Sequence, residues 1–219
     1  MAEFKTTKAP NLVISEPDYK IQNEEQFRNQ LRLYFNQVDS GFEQILVGVG
    51  GANIDFPHIA AYYDADQFAT ADNTPTKVLW NNAPDVSGFT LNADNTATVN
   101  YDGTYKIEYR LQGVNTENVA LDVVVWLQVN GTDVADSATK FTIPARKSAG
   151  VYTFNVLSSF VSWESTADDV FALYWATEQA YDAGVQDGIF LQSLAAQTSP
   201  YAHPEVPSSY GVIQYIGRE

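Results

Sequence analysis

Two spacings of apolar positions divide this chain, one close to a helical turn and one of two residues. From residue 23 to 47, Phe27, Leu31, Tyr34, Val38, Phe42 and Ile45 recur at steps of four, three, four, four and three. That spacing places them on one face of a helix. With Leu31, Val38 and Ile45 at heptad position a, Phe27 and Tyr34 fall at d, and Gly41 takes the next d position. Asn23 reads as the N-cap and Gln26 as its capping-box partner, with Glu24 and Glu25 in the first turn, where the helix dipole favours negative charge. Leu33, Phe35 and Leu46 fall outside the stripe, so the helix is apolar on more than one side. It either packs on its own domain, or it bundles with copies of itself or docks on a partner. With no second helix in the chain to cover it, the second reading is preferred. So few heptads do not hold a coiled coil alone, so the rest of the chain is expected to associate as well.

Beyond a glycine-bearing linker (Gly48, Gly50, Gly51) the period shortens to two, and residues 56–219 read as strand after strand. The expected strands are 59–63, 77–81, 88–92, 96–101, 104–111, 121–130, 138–143, 152–163, 170–177, 189–195 and 209–215. Tyr105, Ile107, Tyr109 and Leu111 alternate with Thr104, Lys106, Glu108 and Arg110, which predicts one buried and one wet face; Phe171, Leu173 and Trp175 repeat the pattern. Asp102-Gly103 and Asn130-Gly131 are dipeptides suited to tight hairpin turns. Val123 to Leu127 run without a polar break. Such a strand predicts cover on both faces, with Val124 and Trp126 turned towards another subunit. All four tryptophans, Trp80, Trp126, Trp163 and Trp175, are expected in strands as core or interface residues.

Composition narrows this picture. There is no cysteine, so neither disulfides nor thiolate chemistry contribute, in keeping with assembly in a reducing cytoplasm. A net charge of −15 and the lack of any basic stripe beyond Arg146-Lys147 argue against nucleic-acid binding. No apolar run is long enough to span a bilayer, and the first ten residues lack the apolar core of a secretion signal. Residues 1–22, with Pro10 and Pro17, form an extended segment in which 11–15 could add a strand to a neighbour's sheet.

Four blocks carry a resemblance. They are Ala71-Asp-Asn-Thr-Pro75 with Val78; Asp102-Gly-Thr-Tyr105 with Ile107 and Tyr109; residues 122–137, which include Trp126-Leu-Gln-Val-Asn-Gly-Thr132; and Leu173-Tyr-Trp-Ala176 with Ala195, Thr198-Ser-Pro200, Pro204 and Pro207. From about Phe56 to Ile216 the sequence resembles jelly-roll domains of structural proteins from marine tailed phages, whose fold is similar to that of C1q and tumour necrosis factor. The stretch from Pro10 to Leu46 resembles the short N-terminal region of such proteins. The resemblance implies a mainly β, antiparallel jelly-roll sandwich preceded by one N-terminal α-helix, assembled as a homotrimer on the virion surface. One departure is the short loop at 145–151, where such proteins often carry a longer loop with glycine and histidine.

Catalytic constellations are not in evidence. His58 and His203 are the only histidines, and no nucleophile elbow, phosphate loop or zinc-protease motif occurs. Asp64 with Asp66, Asp168 with Asp169, and Asp182 with Asp187 read as solvated loop carboxylates; a Ca²⁺-loaded surface is the second reading. Tyr181, Phe190, Tyr201 and Tyr210 lie in or beside late loops, where a jelly roll presents ligands. The expectation is a non-enzymatic virion component: a short fibre, knob or capsid decoration, bound to another virion protein through residues 1–47. The alternatives are a tail protein whose loop tyrosines Tyr181, Tyr201 and Tyr210 face a host glycan and, further behind, a polysaccharide depolymerase. The expected oligomer interface is Phe27, Leu31, Tyr34, Val38, Ile45, Val124 and Trp126.

Overall fold

The computed structural model describes residues 21–46, 56–199 and 202–217, with helix side chains described for residues 24–39. The expected docking segment therefore lies, up to residue 20, outside the described residues, as does Tyr201. The chain divides into two units, Met1–Asp55 and Phe56–Glu219, each described here by itself.

In the first unit the expected helix is present as α1 (Ile21–Leu46), 26 residues long. It starts two residues earlier than expected. Nothing after Pro17 breaks a helix, so Asn23 lies inside the first turn and does not cap it. Glu24 sits in that turn and pairs with the Arg28 guanidinium one turn on. Phe27, Leu33 and Phe35 are exposed, while Leu31, Tyr34 and Val38 are half-buried. The side chains of Phe42 and Ile45 lie outside the described residues.

The second unit contains β1 (His58–Tyr63), β2 (Gln67–Phe68), β3 (Thr76–Lys77), β4 (Asn82–Ser87), β5 (Phe89–Leu91), β6 (Ala97–Val99) and β7 (Gly103–Asn115). These are followed by β8 (Leu121–Val129), β9 (Thr132–Asp133), β10 (Thr139–Ile143), β11 (Thr153–Ser165), β12 (Val170–Thr177), β13 (Ile189–Leu191) and β14 (Ser209–Gly217). All pairings between these strands are antiparallel. The first sheet runs β4-β1-β14-β7-β11, with β13 continuing the β14 edge of β7 and carrying β2. The second runs β10-β8-β12-β6-β5, with β3 on β12 and β9 on β8. Taken in chain order, the strands β1, β6, β7, β8, β10, β11, β12 and β14 stand first-eighth-third-sixth in one sheet and second-seventh-fourth-fifth in the other. That interleaving is the jelly roll.

The alternation along β7 and β8 explains why the sheets face each other. Tyr105, Ile107, Tyr109 and Leu111 from β7, Val123, Val125 and Leu127 from β8, and Phe171, Leu173 and Trp175 from β12 are all buried in one core. Each such side chain contributes roughly 1.5–3 kcal/mol by leaving water. Burial raises the Tyr105 phenol to about 12, with Tyr215 and Asp102 adding to the shift. Its hydroxyl donates to the Tyr101 carbonyl at 2.8 Å.

Three expected elements come out differently. Residues 78–81 form no strand: the Val78 and Asn81 N–H groups reach the Leu173 and Tyr62 carbonyls, but between them side chains replace the partner strand. The buried Gln67 accepts from the Leu79 N–H at 2.7 Å, and Asn95 accepts from the Trp80 N–H at 3.0 Å. Trp80 is thus a core residue outside any strand, its indole resting on the bare backbone of Gly211. The expected strand 189–195 stops at Leu191, and the Ser193 N–H turns to the Asp66 carboxylate at 2.8 Å. Conversely, β4 has no alternating pattern; it pairs only with β1, an edge position that accepts Pro84. Asn130-Gly131 makes the expected two-residue hairpin, with φ of 52° and 77° joining β8 to β9. Asp102-Gly103 does not: β6 and β7 belong to different sheets, so this dipeptide turns a corner between them.

Candidate functional site

On the outer face of the first sheet several large apolar side chains stand uncovered together. Residues opposite one another across β11 and β7 share a face, so Leu157, Val161 and Trp163 point inward with Leu111, Ile107 and Tyr105. Phe154, Val156 and Phe160 then point outward beside Val114, Gln112 and Glu108. They are 55%, 50% and 64% exposed. The Lys106 ammonium lies 5.0 Å from the Phe160 ring centroid and 2.9 Å from Glu108. Continuing across the sheet, Tyr210, Val212 and Gln214 of β14 share this face, followed by Tyr62, Ala60 and His58 of β1. A shallow open groove of about 220 Å³ runs between Glu108, Arg110, Tyr210, Val212 and Gln214.

Sequence reasoning looked for the two-faced strand in β8, yet β11 is the strand that leaves large apolar groups in water. The signal was present. Residues 154–163, Phe-Asn-Val-Leu-Ser-Ser-Phe-Val-Ser-Trp, carry apolar groups at both parities, with polar residues interrupting the run.

The outer face of the second sheet holds Val124 and Trp126, both half-buried. Trp126 stands directly opposite Tyr174 of β12, with near-parallel rings 6.0 Å apart. Its indole N–H donates to Asp133 Oδ1 at 2.6 Å, and the Gln128 amide donates to the same oxygen at 2.8 Å. Below them Asp122 pairs with Lys140 and accepts from Thr142 at 2.6 Å. Lys140 and Thr142 hold the Asp122 carboxyl below its ordinary range, and Asp122 holds the Lys140 ammonium above its own.

The tyrosines expected in ligand-facing loops are separated. Tyr210 lies within β14 on the outer face of the first sheet, not in a loop, because the register of β14 with β7 includes it. Tyr181 packs against Phe190 and Phe68, ring centroids 4.9 and 5.6 Å away, at the end of β13. Next to it, Glu117 and Asp187 form a carboxyl pair. Burial, the bond to Glu117 and the charges of Glu117 and Asp182 hold Asp187 above the usual carboxylate range; the Asn118 N–H and the bond to Asp187 hold Glu117 below it.

The other loop carboxylates act as staples. Asp64 accepts from Asn81 and Asn82, Asp66 from Ser193, and Asp182 from the Gly184 N–H. Asp169 accepts from Asn130, Ser165 and the Thr166 N–H, at 2.7, 2.7 and 2.9 Å. Burial works to raise it, but those bonds prevail and its carboxyl sits below the ordinary range. His58 bonds the Phe56 carbonyl and Asp85, and His203 bonds the Pro204 carbonyl. Among the described residues, no group of three or more His, Asp or Glu could hold a metal ion. No helix among them is long and apolar enough to cross a membrane.

No family model matches this chain. No curated protein matches it either. Among solved structures it is similar to the structure of Eiger TNF from S. frugiperda, at 14% identity and a TM-score of 0.46, over 74% of this chain and 95% of that one.

Proposed function

We propose that this chain is a non-catalytic structural protein that works as a homotrimer on the surface of a tailed-phage virion. Residues 56–219 form the head, and the helix with its preceding segment forms the attachment. The observation that carries the reading is the row Phe154, Val156 and Phe160. Three large apolar side chains clustered on one sheet face are the mark of an interaction surface. Three copies around a common axis give each face a neighbour and close the assembly. The exposed Phe27, Leu33 and Phe35 add a second apolar surface on α1 for the same axis or for another virion protein. The resemblance of the four sequence blocks to phage structural domains supports the virion setting.

This interface differs in emphasis from the one built on Val124 and Trp126. Trp126 already has a ring partner and a hydrogen-bond partner within its own chain, whereas among the described residues the β11 row has no aromatic partner.

Sedimentation equilibrium of the intact chain beside residues 56–219 tests the assembly. Threefold mass for both is the expected result, and a monomeric intact chain overturns the trimer. Antibodies raised against residues 56–219 should label intact phage particles. Quantitative mass spectrometry of those particles then separates a decoration, with many copies, from a tail appendage with few.

A further inference from the structure

We infer that the outer face of the second sheet binds a neutral pyranose chain, with Trp126 and Tyr174 as the stacking platform and Asp133 and Gln128 as the hydroxyl readers. The site lies on the sheet opposite the proposed trimer face, so it does not rest on that reading.

Four features point to this ligand. First, the indole and phenol are cross-strand neighbours with centroids 6.0 Å and planes 28° apart, so they form one aromatic cluster, half-buried on this face. Aromatic faces are electron-rich, and a pyranose with equatorial substituents presents polarised C–H bonds on both of its faces. Second, the neighbours of Tyr174 along its own face of β12 are Ala172 and Ala176, too short to cover the rings.

Third, Asp133 is held in position before any ligand arrives. Its Oδ1 accepts from both Trp126 Nε1 and Gln128 Nε2, and among the described residues no hydrogen bond is made by its Oδ2. A fixed carboxylate oxygen beside an aromatic face accepts a sugar hydroxyl without first having to be ordered. Gln128 Oε1 and the Tyr174 hydroxyl are likewise without a partner among the described residues and stand beside the rings. Fourth, the flanking cations are already paired, Lys140 with Asp122 and Lys77 with Asp94. With a net charge of −15, the molecule repels polyanionic glycans. A neutral chain is what remains.

The test is a titration of the intact protein with cellohexaose and with laminarihexaose, followed through the indole N–H signals in ¹H–¹⁵N spectra. Trp126 is assigned by its loss in Trp126→Phe, and the buried Trp80 and Trp175 serve as internal references. The expected result is a saturable movement of the Trp126 signal alone in the low-millimolar range or below. Tyr174→Ala should weaken binding at least tenfold. Asp133→Asn, which keeps an acceptor for the indole and so preserves the fold, should weaken it several-fold. A hyaluronan hexasaccharide should not compete. The inference is overturned if the Trp126 signal stays still with both neutral sugars. It is equally overturned if all four indoles move together, if both variants bind as well as the parent, or if the acidic sugar competes. If instead Trp126→Phe lowers the sedimenting mass, this face is a contact between copies and the sugar reading fails while the trimer stands.

Discussion

Trp126 and Tyr174 on the second sheet, and Phe154, Val156 and Phe160 on the first, are large apolar side chains on outward-facing strands of one sandwich. They are treated in opposite ways. The pair on the second sheet leans ring against ring, and its indole N–H ends on a carboxylate supplied by β9, across the same hairpin. The row on the first sheet lies along the last strand of that sheet, with Lys106 near the Phe160 ring and Ser158 between Val156 and Phe160 on the same face. A face that completes its own contacts can meet water or a small polar ligand. A face that leaves half of each large side chain exposed calls for a partner of macromolecular size. The same fold therefore carries two outward surfaces of different make-up.

The sharpest way to break that distinction is Phe160→Asp in the intact chain. A buried, unpaired carboxylate at the contact should reduce the threefold mass to that of one chain, while far-ultraviolet circular dichroism stays unchanged. Retention of the trimer would move the interface elsewhere.

Next in size is Phe171→Ala in the shared core, where the residue is fully buried. It should cost about 3–5 kcal/mol in urea unfolding of residues 56–219, because both sheets lose the same filler. Asp169→Ala should cost about 2 kcal/mol, since a carboxylate accepting three bonds ties the β8–β9 turn to the β11–β12 turn and so links the two sheets. Its sign with pH is defined. The folded carboxyl is held low, so its contribution is present above the ordinary carboxylate range and is lost as the pH falls through that range and below. Parent and variant should therefore converge in stability in acid. The smallest effect belongs to Trp126→Ala, about 1 kcal/mol from loss of the ring pair, with no change in sedimenting mass. A larger loss, or a change in mass, would make the second face structural as well.

Much of this fold was legible in the residue pattern. Strict alternation along Tyr105 to Leu111, and along Phe171 to Trp175, identified two strands and their inward faces. The Asn130-Gly131 hairpin followed from the backbone freedom of those two residues. The helix was legible from its stripe, although its first residues were not, because the cap signal at Asn23 and Gln26 lies inside the helix. The misses share a cause. The segment 78–81 obeys a strand pattern, but its two middle N–H groups, those of Leu79 and Trp80, go to Gln67 and Asn95, side chains more than ten residues away. The edge strand β4 has almost no pattern to read, because half-solvated edges impose little on composition.

The site was less legible than the fold. Val124 and Trp126 were identified as outward-facing apolar residues, and their parity along β8 alone is enough for that. That Trp126 meets Tyr174 and Asp133 depends on β12 lying beside β8, which no local pattern states. Tyr181 and Tyr210 looked alike as late aromatics, yet one packs at the end of β13 and the other lies mid-sheet.

What the sequence determined by itself was therefore local: the helix, the main strands, the parity that assigns each side chain to the core or to water, and the absence of cysteine chemistry. The tertiary structure alone decided which outward face is left incomplete. Exposure of Phe154, Val156 and Phe160 is not a property of β11 but of what the fold places over it. Hydrophobic burial is non-directional and depends only on the cover available. Neighbours in space supply that cover, and the strand order of the jelly roll brings together residues far apart along the chain.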